Sequence, residues 1–219
     1  MTLARFLPLA LIALPTALVA APATNWVNRV VISPVGGHVM GNPSATTKLV
    51  EYVSYTCSHC AQFVGQASGP LKTGYVQGGK VSVEVRNAVR DKYDLTAALL
   101  ARCGGPARFM GNHEALFANQ DAWMAQIETY DRDATKPADQ IAALRDIGQK
   151  TGLYTLMSKR GYKPTQLDAC IASPMAMKQV MAMTDDAWNK VKITGTPGFT
   201  VNADLDSLFN HPSSEPCPS

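Results

Sequence analysis

The segment Glu51–Cys60, EYVSYTCSHC, restricts the possible folds more than any other part of the chain. Lys48–Tyr55 has the β-branched and aromatic content of a buried strand, and a helix is expected to begin at Cys57 and run to about Tyr75, kinked or divided at Pro70. A CxxC pair at a strand-to-helix junction is a site where a thiolate can be stabilised. The unsatisfied N–H groups and the positive end of the helix dipole lie beside its first sulfur. Cys57 is therefore expected to be an exposed nucleophile with a lowered pKa, assisted by the His59 imidazole, and Cys60, one turn further on, the resolving thiol.

Two other readings use the same spacing, a static disulfide and half of a zinc site. Zinc would need two more ligands, whereas His38, His113 and His211 are scattered and no second CxxC exists. Haem attachment fails because Ala61, not histidine, follows Cys60.

The N-terminus supplies an address. Arg5 is the only charged side chain before Arg29, and the apolar run Phe6–Ala21, interrupted by Pro8 and Pro15, leads into Ala21-Pro22-Ala23. That pattern fits a cleaved secretory signal over residues 1–23 better than a retained membrane anchor. An exported chain meets oxidising conditions, where cysteines are paired or redox-active. The net charge of +3 comes with no dense Lys/Arg run, so nucleic acid is not an expected partner.

Strands are also expected at Arg29–Ile32, Val81–Val85 and Phe199–Asn202, with a loop through Gly41-Asn42-Pro43. From Asp94 to about Lys190 the pattern is helical. Asp94 is expected to cap Leu95–Arg102, Pro137 to open Ala138–Lys150, and Thr165 and Asp168 to form a variant capping box for Gln166–Ala172. Ser173-Pro174 opens a further helix, with Met177 and Met181 expected on its buried face and Met175 and Met183 at the surface, where they could offer clients an adaptable apolar patch. The tail 211–219 reads as disordered and leaves Cys217 over, as a free thiol, an intermolecular link or a residue with no role, and without a catalytic part.

EYVSYTCSHC followed by AQF, together with Gly195-Thr196-Pro197-Gly198-Phe199 downstream, resembles the DsbA-like periplasmic thiol:disulfide oxidoreductases of the thioredoxin superfamily. The resemblance implies an α/β thioredoxin fold, discontinuous over 24–93 and 191–210, interrupted by a helical insertion at 94–190. It also implies that Thr196-Pro197 is a cis-proline turn that pairs with a bound peptide. Glu51 stands where the superfamily commonly has a buried acid, which could relay a proton to or from Cys60. An exported chain favours pairing Cys103 with Cys170, as some DsbA-like proteins pair theirs, in a structural disulfide.

Three departures are visible. Ser58 replaces the proline of the best-known members, which leaves the oxidising strength open. Thr196 resembles the isomerase and reductase branches more than the archetypal oxidase. After Asn202 the chain has room for one short helix at most, where the family continues with a strand and a helix, so the C-terminal architecture is expected to be shortened.

The expected activity is disulfide donation to exported proteins that are unfolded or still folding. Ser58, Thr196 and Pro197 would contact them, and a membrane protein of the DsbB type would restore the disulfide. The disulfide itself carries the electrons, so no metal or organic cofactor is expected, and a monomer is favoured. An isomerase or reductase, or a non-catalytic client-binding protein with a structural Cys57–Cys60 bond, are the alternatives.

Overall fold

The computed structural model describes residues 24–132 and 135–202. The expected signal segment 1–23, the short helix within 203–210, the tail 211–219 and Cys217 lie outside the described residues.

A short 3-10 turn, Trp26–Asn28, leads into β1 (Val30–Ile32), which turns through Ser33–Gly37 into β2 (His38–Gly41). The turn closes through Gly36 at φ +98°, with its N–H on the Ser33 carbonyl, a backbone geometry open to glycine. β2 was not among the expected strands. It is only four residues long, and its first residue, His38, is polar yet 1% exposed, its ring stacked on Phe109 at 3.6 Å. A buried histidine in a short strand breaks the apolar alternation by which strands are recognised.

β3 (Thr47–Val53) and β4 (Val81–Asn87) are parallel neighbours joined by α1 (Ser58–Pro70), which continues as a π-helical turn over Leu71–Val76. Pro70 has no N–H to give, and the winding changes directly after it without a break in the helix. β5 (Gly198–Val201) lies antiparallel to β3 on its other side, so the sheet order is β1-β2-β4-β3-β5. β3 is thus flanked on both edges, and Glu51 sits in register with Val85 on one neighbour and Phe199 on the other.

Between β4 and β5 the chain is helical: α2 (Lys92–Ala101), α3 (Pro106–Ala118), α4 (Gln120–Met124), α5 (Ile127–Arg132), α6 (Gln140–Lys150), α7 (Leu153–Lys159), α8 (Pro164–Ile171) and α9 (Pro174–Asp185). A π-helical turn, Asp186–Val191, extends α9 toward β5. Every residue of α2 from Tyr93 to Ala101 is buried, which makes it the centre of the helical block rather than an amphipathic cover.

Three local expectations change. The N-cap of α2 is Asp91, whose carboxylate accepts from the N–H groups of Tyr93 and Asp94, each at 2.8 Å. α8 starts at Pro164, before the expected capping box, and it is Gln166 that reaches back to the Lys163 N–H at 2.8 Å. On α9 Met183 is fully buried and Met181 is 48% exposed, the reverse of the expected phase, because Val180 and Met183 form the inward row; Met175 is exposed as expected.

Cys103, just after α2, is bonded to Cys170 near the end of α8, closing a loop with a sequence separation of 67. In the chain-entropy model a loop of this length limits the unfolded ensemble by about 4 kcal/mol. The Cys103→Ser/Cys170→Ser double variant is expected to lose up to about that much stability, read as a lower denaturant midpoint at unchanged slope. Equal midpoints with and without the bond would show that it contributes nothing.

Candidate functional site

The two cysteines of the CxxC motif are both buried, one helical turn apart, but meet different surroundings. Cys57 is the N-cap residue of α1, in extended conformation at φ −98° and ψ 117°, so its sulfur lies at the end of the helix where N–H groups are unsatisfied. Cys60 points into the core with Val53, Val64 and Val85 and is 0% exposed. Both are free thiols in this structure.

The expectation that Cys57 is exposed needs correction, because it is only 5% exposed. The loop before β5 lies over it, and the Cys57 thiol donates to the Thr196 carbonyl at 3.1 Å. Burial opposes ionisation of Cys57. The neighbouring Thr196 side chain, the Cys60 N–H and thiol, and the Arg90 charge outweigh that burial and hold the thiol below its ordinary value. Burial pushes the Cys60 thiol far up, and the nearby Cys57 adds to this while contacts with Ser54 and Thr196 oppose it. The two thiols are therefore separated electrostatically as well as by position.

The Thr196-Pro197 peptide is cis. Besides the carbonyl facing Cys57, Thr196 carries a buried hydroxyl with no partner among the described residues. A hydroxyl in that position is a donor available to a thiolate. Ser58 and His59 are exposed on the first turn of α1, at the mouth of the site.

Glu51 is 4% exposed on β3, and burial raises its carboxyl to about 8. One carboxyl oxygen has no partner among the described residues. It lines a cavity of about 20 Å³ that also touches Met40, Phe63, Val85 and His113 and reaches the Lys72–Glu114 ion pair. That volume accommodates one water. A protonated acid, a water-sized space and an ion pair toward the surface make a short polar track through an otherwise apolar layer between β3 and α1.

Four further residues around the site carried no recognisable sequence signal for that role. Arg90 donates to the Ser54 hydroxyl at 2.9 Å and the Thr56 hydroxyl at 3.2 Å, which holds its charge beside the motif. Asp94, fully buried on α2, accepts from the Tyr55 N–H at 2.7 Å and the Arg90 N–H at 3.1 Å, and burial raises its carboxyl to about 7. The Tyr55 hydroxyl meets His113 Nδ1 at 3.0 Å. Gln120 donates to the carbonyls of Tyr55 and Cys57. A sequence shows such groups as a helix cap, a core histidine and an ordinary polar residue; only the folded chain brings them to one loop.

Cys103 and Cys170 are apart from this cluster, bonded within the helical block. Among the described residues no group of three or more His, Cys, Asp or Glu side chains could hold a metal ion, and no helix is long and apolar enough to cross a membrane.

Comparison with known proteins agrees with this geometry. A family model described as thioredoxin matches residues 33–209. A Rickettsia felis protein named "Putative protein-disulfide oxidoreductase" is 33% identical over 165 residues, which are 75% of this chain and 52% of that protein. The chain thus spans about half the length of the curated relatives it matches. Among solved structures, a protein-disulfide isomerase from Novosphingobium aromaticivorans is 36% identical, with a TM-score of 0.70 over 77% of this chain and 88% of that one. Wolbachia pipientis alpha-DsbA1, 24% identical with a TM-score of 0.61 over 82% of each chain, shares the fold. The chain belongs to the thioredoxin family, and its relatives include proteins named as protein-disulfide oxidoreductases and a protein-disulfide isomerase.

Proposed function

We propose that this protein is an exported thiol oxidase that donates the Cys57–Cys60 disulfide to thiols of folding proteins. The observation that carries this reading is the asymmetry of the pair: a thiol lowered at a helix N-terminus faces a peptide carbonyl, and its partner is raised by full burial. A couple whose reduced form gains a stabilised thiolate is a better oxidant. The apolar leader Phe6–Ala21 supports export to the periplasm, and the disulfide itself serves as the redox group.

The reaction runs in two exchanges. A substrate thiolate attacks Cys57 Sγ in the disulfide, the Cys57–Cys60 bond breaks, and Cys60 leaves with the electron pair and takes a proton. A second substrate thiolate then attacks the substrate sulfur of the mixed disulfide, and Cys57 leaves as the thiolate. The substrate has lost two electrons to a disulfide, and the enzyme holds them as Cys57 and Cys60. Ser58, Thr196 and Pro197 border the path of the incoming peptide. Glu51, protonated below about 8, supplies the Cys60 proton. A membrane reoxidant of the DsbB type would close the cycle.

A second reading, isomerase or reductase, is favoured by Thr196 and by the name of the Novosphingobium relative. The equilibrium potential of the couple against glutathione separates the two. A value near about −120 mV is expected for the oxidase, and one near about −270 mV would make a reductase the better reading. The third reading, a client-binding protein with a static bond, is tested by Cys57→Ser. This variant is expected to abolish oxidation of a reduced model protein; full activity in the variant would sink both enzyme readings.

Glu51→Gln tests the relay. Release of Cys60 at neutral pH is expected to slow by about 10²-fold, with the difference shrinking above the Glu51 pKa, where the native carboxyl has already lost its proton. Equal rates at all pH values would remove Glu51 from the reaction. The same substitution has a stability signature with a defined sign. A carboxyl raised from 4.5 unfolded to about 8 folded contributes stability below 4.5 that is lost as pH rises through about 8. The native protein is expected to weaken across that window, and Glu51→Gln to flatten most of the slope, with Asp94, raised to about 7, supplying the remainder.

A further inference from the structure

The loop that carries the nucleophile is held by the helical block rather than by the sheet. After β3 ends at Val53, Asp94 of α2 accepts from the Tyr55 N–H at 2.7 Å, and His113 of α3 meets the Tyr55 hydroxyl at 3.0 Å. Phe117 of α3 lies against the Tyr55 ring, with centroids 4.8 Å apart. These contacts fix the residue two positions before Cys57.

One contact goes to the nucleophile's own residue. Gln120, the first residue of α4 and 3% exposed, donates through Nε2 to the Tyr55 carbonyl at 2.8 Å and the Cys57 carbonyl at 2.9 Å. The Cys57 carbonyl otherwise takes only the first bond of α1, from the Ala61 N–H at 3.2 Å. Both hydrogens of one buried amide are thus spent on two carbonyls that flank Thr56.

We propose that Gln120 is a positioning residue for the Cys57 thiolate, acting from the helical block through the two loop carbonyls. The proposal rests on the reading of Cys57 as the nucleophile. Carbonyl oxygens carry the negative ends of the peptide dipoles, and a buried donor on each of them offsets negative potential near the thiolate. The same two bonds set the direction in which the first turn of α1 leaves the loop, and so where its free N–H groups point relative to the sulfur. Removing the donor leaves two enclosed carbonyls short of a partner and lets the turn rotate.

The test uses two substitutions. Gln120→Met keeps length and volume without donors. Gln120→Glu keeps the shape, returning one donor when protonated and adding repulsion when ionised. In each, Cys57 ionisation is followed by thiolate absorbance in a Cys60→Ser background, and the reduction equilibrium with glutathione is followed with Cys60 intact. The Cys57 pKa is expected to rise by about half a pH unit in Gln120→Met, a roughly threefold loss of thiolate at pH values below it, with a matching shift toward the disulfide at equilibrium. Gln120→Glu is expected to match the native protein more closely at acidic pH and to fall furthest behind at alkaline pH, a pH profile that lost packing alone would not produce. If Gln120→Met fails to fold, the Gln120→Glu profile decides by itself. A low native Cys57 pKa unchanged in the folded variants, with only thermal stability reduced, overturns the proposal and leaves the nucleophile intact. An ordinary thiol pKa in the native protein overturns the nucleophile reading and the proposal together.

Discussion

Full removal of water from Cys60 is the constraint around which the rest of the structure is arranged. A thiol fully buried in the hydrophobic core strongly resists ionisation, so it can leave a disulfide only if a proton arrives with the electrons. Below, Glu51 on β3 is likewise kept protonated at neutral pH by burial. Above, Cys57 meets the same opposition from burial, but its surroundings at the helix start, with Thr196, the Cys60 N–H and the Arg90 charge, outweigh it. One turn of helix and one strand thus create a steep electrostatic gradient across two buried sulfurs.

The gradient depends on the sheet order. β3 can hold a buried acid because β4 and β5 cover both its edges and α1 covers one face, with Phe63 of α1 packed on Phe199 of β5 at 4.6 Å between ring centroids. On the opposite face Arg86 binds Glu84 through two nitrogens and reaches Asp186 and the Tyr52 hydroxyl, which ties the sheet to the end of the helical block. Each charge there has a partner, so the polar network anchors the block without leaving an uncompensated charge in the interior. Further contacts with the sheet domain run to the loop before α1, through Asp94, His113, Phe117 and Gln120, and to β2 through Phe109 stacked on His38.

What could be read from the chain was what is local. The apolar run before Cys57, the CxxC spacing and the helix after it lie within one segment, and the strand and helix formed as expected to within a few residues. Asp94 shows the limit of such reading. It and Asp91 are equally good caps three residues apart; the chain uses Asp91, and Asp94, the more deeply buried of the two, turns to the Tyr55 and Arg90 N–H groups instead. α2 was foreseen from its terminal signals, whereas α3, α4, α5 and α7 were not. Met181 and Met183 exchanged places because neighbouring residues on a helix face different ways, and only the packed neighbours of α9 decide which row turns inward.

The sequence by itself determined that two thiols would stand at a strand-to-helix junction, one of them at the helix start, because hydrophobic periodicity, chain direction and helix capping act over a few residues. It also placed a carboxyl in the middle of an apolar strand. Only the tertiary structure decided how those groups ionise, because desolvation and charge depend on what arrives from distant parts of the chain. The Thr196 carbonyl comes from 139 residues beyond Cys57, the Gln120 amide from 63, and the Asp94 carboxyl from 39 beyond Tyr55. Short-range forces fixed where the reactive atoms sit, and long-range packing set the electrostatic field in which they react.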